Sequence, residues 1–235
     1  MGRVEQSNFL SNRSRAISTA HKSRDDFLAT LERASDGDRR DGLLFASREK
    51  QVGKRGDHDL NPGMVPPTEV RKAAVLVPIV DRPEGLTLLL TKRSETLPVH
   101  KGQVSFPGGR VEESDRSHIE TALRETEEEI GLPRAKVQIV GRLDTYTTRT
   151  AYDVTPVIGI VSPPFELVLD PVEVEEAFEV PLEHILDRRR YQRQGREWQG
   201  ATRHFYVLPH DKHYIWGATA GMLVNLAEVM QAADG

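Results

Sequence analysis

The 235-residue chain contains no cysteine, which excludes disulfides, thiolate catalysis and cysteine-based zinc sites. Long hydrophobic runs are also missing. The longest near-continuous apolar stretch, Ala73 to Val80, is interrupted by Pro78 and is far too short to span a bilayer. There is no apolar signal-peptide core, so a cytoplasmic location is the expectation. No large excess of either charge exists: the net charge of −4 gives no general pull toward nucleic acid or anionic membranes. Any polyanion must therefore be recognised by locally placed basic residues. Neither a P-loop nor a dinucleotide glycine fingerprint occurs, and Ser105 and Ser114 lack the glycine-flanked context of a serine nucleophile. What remains is an ordinary soluble composition, 37% hydrophobic and 29% charged, suited to one domain plus a tail.

The first 24 residues carry Arg3, Arg13, Arg15, Lys22 and Arg24 against the single acid Glu5, and are rich in serine. This reads as a disordered extension, with an organellar transit peptide as the competing reading. Residues 23–35 have the spacing of a short amphipathic helix, with Phe27, Leu28 and Leu31 on one side. Residues 36–67 are charged, lack apolar periodicity and end in Asn61-Pro62-Gly63 and Pro66-Pro67, which predicts a linker. The expected division is thus an N-terminal extension over 1–67, partly disordered, and a folded domain over 68–235.

Ala73–Val80 and Leu86–Lys92 read as a hairpin-like strand pair, followed by a loop carrying Gly102 and Phe106-Pro107-Gly108-Gly109. Ser117–Ile130 is the strongest helix pattern, stopped by Gly131 and Pro133. Further strands are expected over Val137–Tyr146, Val154–Val161, Val172–Val180, Ala201–Leu208 and His213–Trp216. A short helix is expected over Pro181–Leu186 and an apolar one over Gly217–Met230. There is no internal repeat and no regular strand–helix alternation. An α+β fold, an α/β/α sandwich around a mixed sheet, fits this order best.

Chemistry concentrates in Arg124-Glu125-Thr126-Glu127-Glu128-Glu129. At about 100° per residue, Glu125, Glu128 and Glu129 share one arc of the helix, while Ile119, Ala122, Leu123, Thr126 and Ile130 form a separate, mostly apolar arc. Stacked like charges destabilise an isolated helix, by about 0.2–0.5 kcal/mol per pair. A hard divalent cation would convert that repulsion into coordination. An acidic triplet alone would read as a solvated face, but two neighbours argue otherwise. Arg124 can orient a glutamate, and Gly108-Gly109 can offer backbone N–H groups to a phosphate.

The stretch resembles the Nudix box: Gly, five residues, Glu, seven residues, then Arg-Glu-aliphatic-any-Glu-Glu-any-Gly-aliphatic. Arg124 to Leu132 fits throughout, except that Thr126 replaces the aliphatic residue. Counting from Gly109, the expected acid falls on Asp115, and eight residues rather than seven precede Arg124. The coenzyme A pyrophosphatase branch is similar in this spacing and in an upstream signature, matched here by Leu89-Leu90-Thr91-Lys92-Arg93-Ser94, then Gly102, then Phe106-Pro107-Gly108-Gly109. The signature's second arginine falls on Pro98, with His100 or Lys101 as substitutes. Similarity continues through Glu173-Val174, Phe178–Leu182 and Ile215–Ala220, so the resemblance spans about residues 70–230.

The resemblance implies metal-dependent hydrolysis of the diphosphate of coenzyme A or acyl-coenzyme A, giving 3′,5′-ADP and 4′-phosphopantetheine or its acyl form. Mg²⁺ or Mn²⁺ would be held by Glu125, Glu128 and Glu129, with Arg124 positioning them. Glu128 or Glu173 is the candidate base. Arg93, Ser94, His100, Lys101, Gly108 and Gly109 are the expected substrate contacts. Trp216 reads as core rather than as an adenine platform, and His118 has no assigned role. The implied partner is a small-molecule diphosphate; no nucleic acid or membrane is expected, and a homodimer is left open. A Nudix diphosphatase acting on ADP-ribose, NADH or another nucleoside diphosphate derivative is one alternative. A non-catalytic nucleotide-binding module is the other, disfavoured because Arg124, Glu125, Glu128 and Glu129 are all present.

Overall fold

A computed structural model describes residues 23–40, 43–46, 54–198 and 200–233. The basic, serine-rich stretch before Ser23 lies outside them. The elements, in chain order, are α1 (Arg24–Ser35), β1 (Arg39–Arg40), β2 (Leu43–Phe45), β3 (Lys54–Gly56), β4 (Arg71–Arg82), β5 (Gly85–Arg93), β6 (Val104–Ser105) and β7 (Gly108–Arg110). There follow α2 (His118–Ile130), β8 (Val137–Arg142), β9 (Thr145–Thr147), β10 (Tyr152–Val161), β11 (Val174–Pro181), α3 (Leu182–Leu186), β12 (Gln192–Trp198), β13 (Ala201–His210), β14 (His213–Trp216) and α4 (Gly217–Ala233).

The main sheet runs β1-β2-β8-β10-β4-β5-β11 and is mixed: β4 pairs parallel with β10 and antiparallel with β5. The second sheet is the antiparallel ribbon β12-β13-β14. β4 is buried on both faces, and its residues enter two cores alternately by the period-2 rule. Ala73, Val77 and Ile79 enter one core with Phe27, Leu31, Leu223 and Met230, from α1 and α4. Ala74, Leu76 and Val80 enter another with Ala122 and Ile130 of α2. Helices therefore cover both faces, as expected of an α/β/α sandwich. Among the described residues, no helix is long and apolar enough to cross a membrane.

One edge of β4 changes partner along its length, and this builds the site. Ala73 to Val75 pair with β7, whereas Ile79 to Arg82 pair with β5. Leu76 donates its N–H to Pro107 on that edge, so Pro78, two residues on, faces the same side. Its missing N–H falls where β7 has ended and β5 has not begun, which is why a proline fits this central strand.

Several expectations need correction. Residues 36–67 are not all loop, because β2 pairs with β8 and β3 with β9. The strand expected over 137–146 is two strands, β8 and β9, separated by Leu143 and Asp144. β6, β7 and β12 were not expected. The first two are too short to show periodicity, and Gln192-Arg193-Gln194-Gly195-Arg196-Glu197 has no apolar alternation.

Candidate active site

α2 forms where the sequence signals it. Ser117 caps its start, accepting the Glu120 N–H, and Gly131 closes it in a left-handed conformation (φ 65°) that glycine adopts freely. A loop then covers its C-terminal end: the N–H groups of Val168 and Asp170 bond the carbonyls of Ile130 and Glu129. The apolar arc packs on the sheet, and the carboxylate arc overhangs β7.

Gly108 and Gly109 permit that approach. A Cβ at Gly109 would stand 2.4 Å from Cδ of Glu125, and one at Gly108 2.5 Å from the Ala74 carbonyl oxygen. The Gly108 N–H, expected to meet a phosphate, is donated to Glu129 Oε2 at 3.0 Å. These glycines let two glutamates lie against the sheet.

The three glutamates differ in environment. The Glu129 side chain is 5% exposed and Glu128 60%, with Glu125 between them. Burial raises the Glu129 carboxyl to about 7, against the lowering effects of the Gly108 N–H and of Arg93, and the Glu173 and Glu125 charges add to the rise. Burial also raises Glu125, opposed by its bond to Arg124.

Arg124 is the hub. It donates to Glu125 at 2.9 Å, to Glu128 at 3.0 Å and to the Arg110 carbonyl at 3.2 Å. Its other edge is gripped by both oxygens of Asp115 at 3.0 Å. Asp115 also accepts the Glu112 N–H and the Thr121 hydroxyl, and the bond from Arg124 is the main reason its carboxyl lies well below the usual range. Asp115 was absent from the expected site residues, although its position where the motif wants an acid was the available signal.

All side-chain donors on this face are carboxylate oxygens, a set suited to a hard divalent cation. As the side chains stand, however, no three carboxylate or imidazole groups among the described residues are close enough to hold one ion. Arg124 holds Glu125 and Glu128, and Glu129 is bonded to Gly108, so like charges take separate partners. The expected three-glutamate set is not assembled in this arrangement.

Arg93 lies between Glu129 (3.6 Å) and Glu173 (4.0 Å), which brings both expected residues to the site. Ser94 does not face it: its hydroxyl bonds Thr96, and its N–H bonds the Glu173 carbonyl, fixing the turn beside Arg93. Lys101 is exposed and makes no contact with the carboxylates. His100 bonds Gln103 and lines a cavity of about 430 Å³ that Arg93 also lines. Tyr152, Phe205 and Trp216 add aromatic wall, so Trp216 is not simply core. Phe205 and Trp216 meet edge to face at 5.2 Å. Sequence reasoning weighs Trp216 but misses Phe205 of the same ribbon, since only the strand register brings the two together.

The arrangement offers carboxylates on a rigid helix, an arginine between two of them and an adjoining cavity with aromatic walls. The family model described as NUDIX domain matches residues 70–199. The chain is 44% identical over 161 residues to a protein of Photorhabdus laumondii named uncharacterized Nudix hydrolase NudL, covering 68% of this chain and 86% of that one. It is 40% identical over 158 residues to the protein of the same name from Yersinia pestis, covering 67% and 79%. A solved Nudix hydrolase from M. Smegmatis, RenU, is 18% identical, with a TM-score of 0.47, over 69% of this chain and 86% of its own.

Proposed function

The chain belongs to the NUDIX family and is a Nudix diphosphatase; we propose that it cleaves the diphosphate of coenzyme A or acyl-coenzyme A to 3′,5′-ADP and 4′-phosphopantetheine or its acyl form. The observation that carries this is the placement of Arg93. It stands between Glu129 and Glu173 and also lines the aromatic-walled cavity, so a diphosphate at the carboxylates would extend its nucleotide into that cavity. The upstream signature that favours the coenzyme A branch contains Arg93 itself.

Glu125 and Glu129 are the residues that would hold Mg²⁺ or Mn²⁺, with Glu128 as a third ligand once released by Arg124. When bound, such a cation neutralises phosphate charge and lowers the pKa of a bound water. Arg93 grips a phosphate oxygen pair through its planar guanidinium. A water oxygen bonds to one phosphorus, the anhydride P–O bond breaks and the other phosphate leaves as its anion. Glu128, exposed and tethered to Arg124, and Glu173, 45% exposed beside Arg93, are the carboxylates open to take the water's proton.

The test is a product assay with Mg²⁺ and with Mn²⁺ on coenzyme A, acyl-coenzyme A, ADP-ribose and NADH. Release of 3′,5′-ADP is the expected outcome, and cleavage of ADP-ribose or NADH alone would reject the coenzyme A assignment. Glu125→Gln and Glu129→Gln should each lower kcat by about a hundredfold or more, by analogy with the loss of other preorganised charged groups, while the fold is retained. Full activity in either would reject its role.

A further inference from the structure

The cavity holds more positive charge than the scissile diphosphate requires. Besides Arg93 it is lined by Arg149, Arg196 and Arg203, and its only acid among the described residues is Asp57. Asp57 forms no ion pair with Arg196 or Arg203. One oxygen accepts the Tyr146 hydroxyl at 2.8 Å and the other the Arg149 backbone N–H at 2.7 Å.

Arg196 and Arg203 are the informative pair. They are direct cross-strand partners in the β12–β13 ribbon, and both line the cavity. Like charges directly opposite each other in an antiparallel pair destabilise it. Neither forms an ion pair among the described residues, and Arg203 Nε is buried without a hydrogen-bond partner. A buried donor of this kind destabilises the fold unless it finds an acceptor. The ribbon thus keeps two unpaired arginines side by side, lining a cavity that Arg93 also lines. An anion with several acceptor oxygens would satisfy both.

We infer that Arg196 and Arg203 bind a phosphomonoester carried by the substrate away from its scissile diphosphate, and so select nucleotides bearing an extra phosphate. This deepens the coenzyme A reading and rests on it, the group in question being the 3′-phosphate. Trp216 and Phe205, which line the same cavity and touch each other, would stack on the base, leaving the arginines to read the ribose phosphate.

The experiment compares kcat/KM for coenzyme A and for 3′-dephospho-coenzyme A, which share the scissile bond and differ only in that phosphate. Wild type should prefer coenzyme A by roughly ten- to a hundred-fold, the range expected of hydrogen bonds to a charged group. In Arg203→Gln and in Arg196→Gln, whose exposed site carries little folding risk, the ratio should fall toward one. Equal cleavage of both compounds by wild type, or an unchanged ratio in both variants, overturns the inference and leaves the coenzyme A reading intact. Calorimetric binding of 3′,5′-ADP and of 5′-AMP gives a readout without turnover. If coenzyme A is not cleaved but 3′,5′-ADP still binds more tightly than 5′-AMP, and loses that advantage in Arg203→Gln, the phosphate site stands and the substrate assignment falls. If both nucleotides bind alike, the phosphate site falls.

Discussion

At Gly109 the distance that matters is measured from an atom that glycine lacks: a Cβ there would collide with the carboxylate end of Glu125. That end belongs to a flexible side chain, which can swing away at little cost to folding. Gly109→Ala should therefore lower turnover about tenfold or more by displacing a proposed metal ligand, while the unfolding midpoint changes little. At Gly108 the obstacles are the Ala74 carbonyl and the Val75 Cα, and φ is 147°. Gly108→Ala should lose stability as well as activity, because backbone has to move. Urea unfolding beside a product assay separates the two cases. Opposite losses, with Gly109→Ala unstable and Gly108→Ala stable, would contradict the packing described.

α2 depends on a clamp outside its own length. Asp115 lies before the helix, has a side chain only 2% exposed, and grips Arg124 with both oxygens while accepting two further hydrogen bonds. Because Arg124 lowers the Asp115 pKa in the folded state, this contribution to stability is fully present above the ordinary carboxylate value of about 4. It is lost as pH falls through the lower, folded value. Asp115→Asn should cost about 1–3 kcal/mol near neutrality, with kcat also reduced because Arg124 loses its anchor. The stability gap between the two proteins should narrow as the medium is acidified. A gap that stays constant from neutral to strongly acidic pH would show that the clamp is not an ionised pair.

Across the whole molecule, α1 is part of the principal core. Phe27 and Leu31 are fully buried and share a cluster with Leu223 and Met230 of α4, although α1 precedes the family match at residue 70. Phe27→Ala should destabilise the protein by about 3–5 kcal/mol, as truncation of a buried aromatic does, and urea unfolding measures it. A shift under about 1 kcal/mol would mean that the N-terminal helix is dispensable to the domain.

The amino-acid pattern alone determined α2, its caps, the β4–β5 pair and the acidic arc, because each rests on neighbours a few residues apart: helical spacing, a capping serine, a terminating glycine. It also pointed to the family, through contiguous motifs. Which glutamate is buried, and that Gly108 bonds Glu129, followed only from β7 pairing with β4 beneath the helix. A strand of three residues exists through its partner and leaves no periodic trace. The same holds for the cavity. Arg196 and Arg203 are ordinary charges on a polar stretch until the β12–β13 register sets them opposite each other, and no local preference encodes that register.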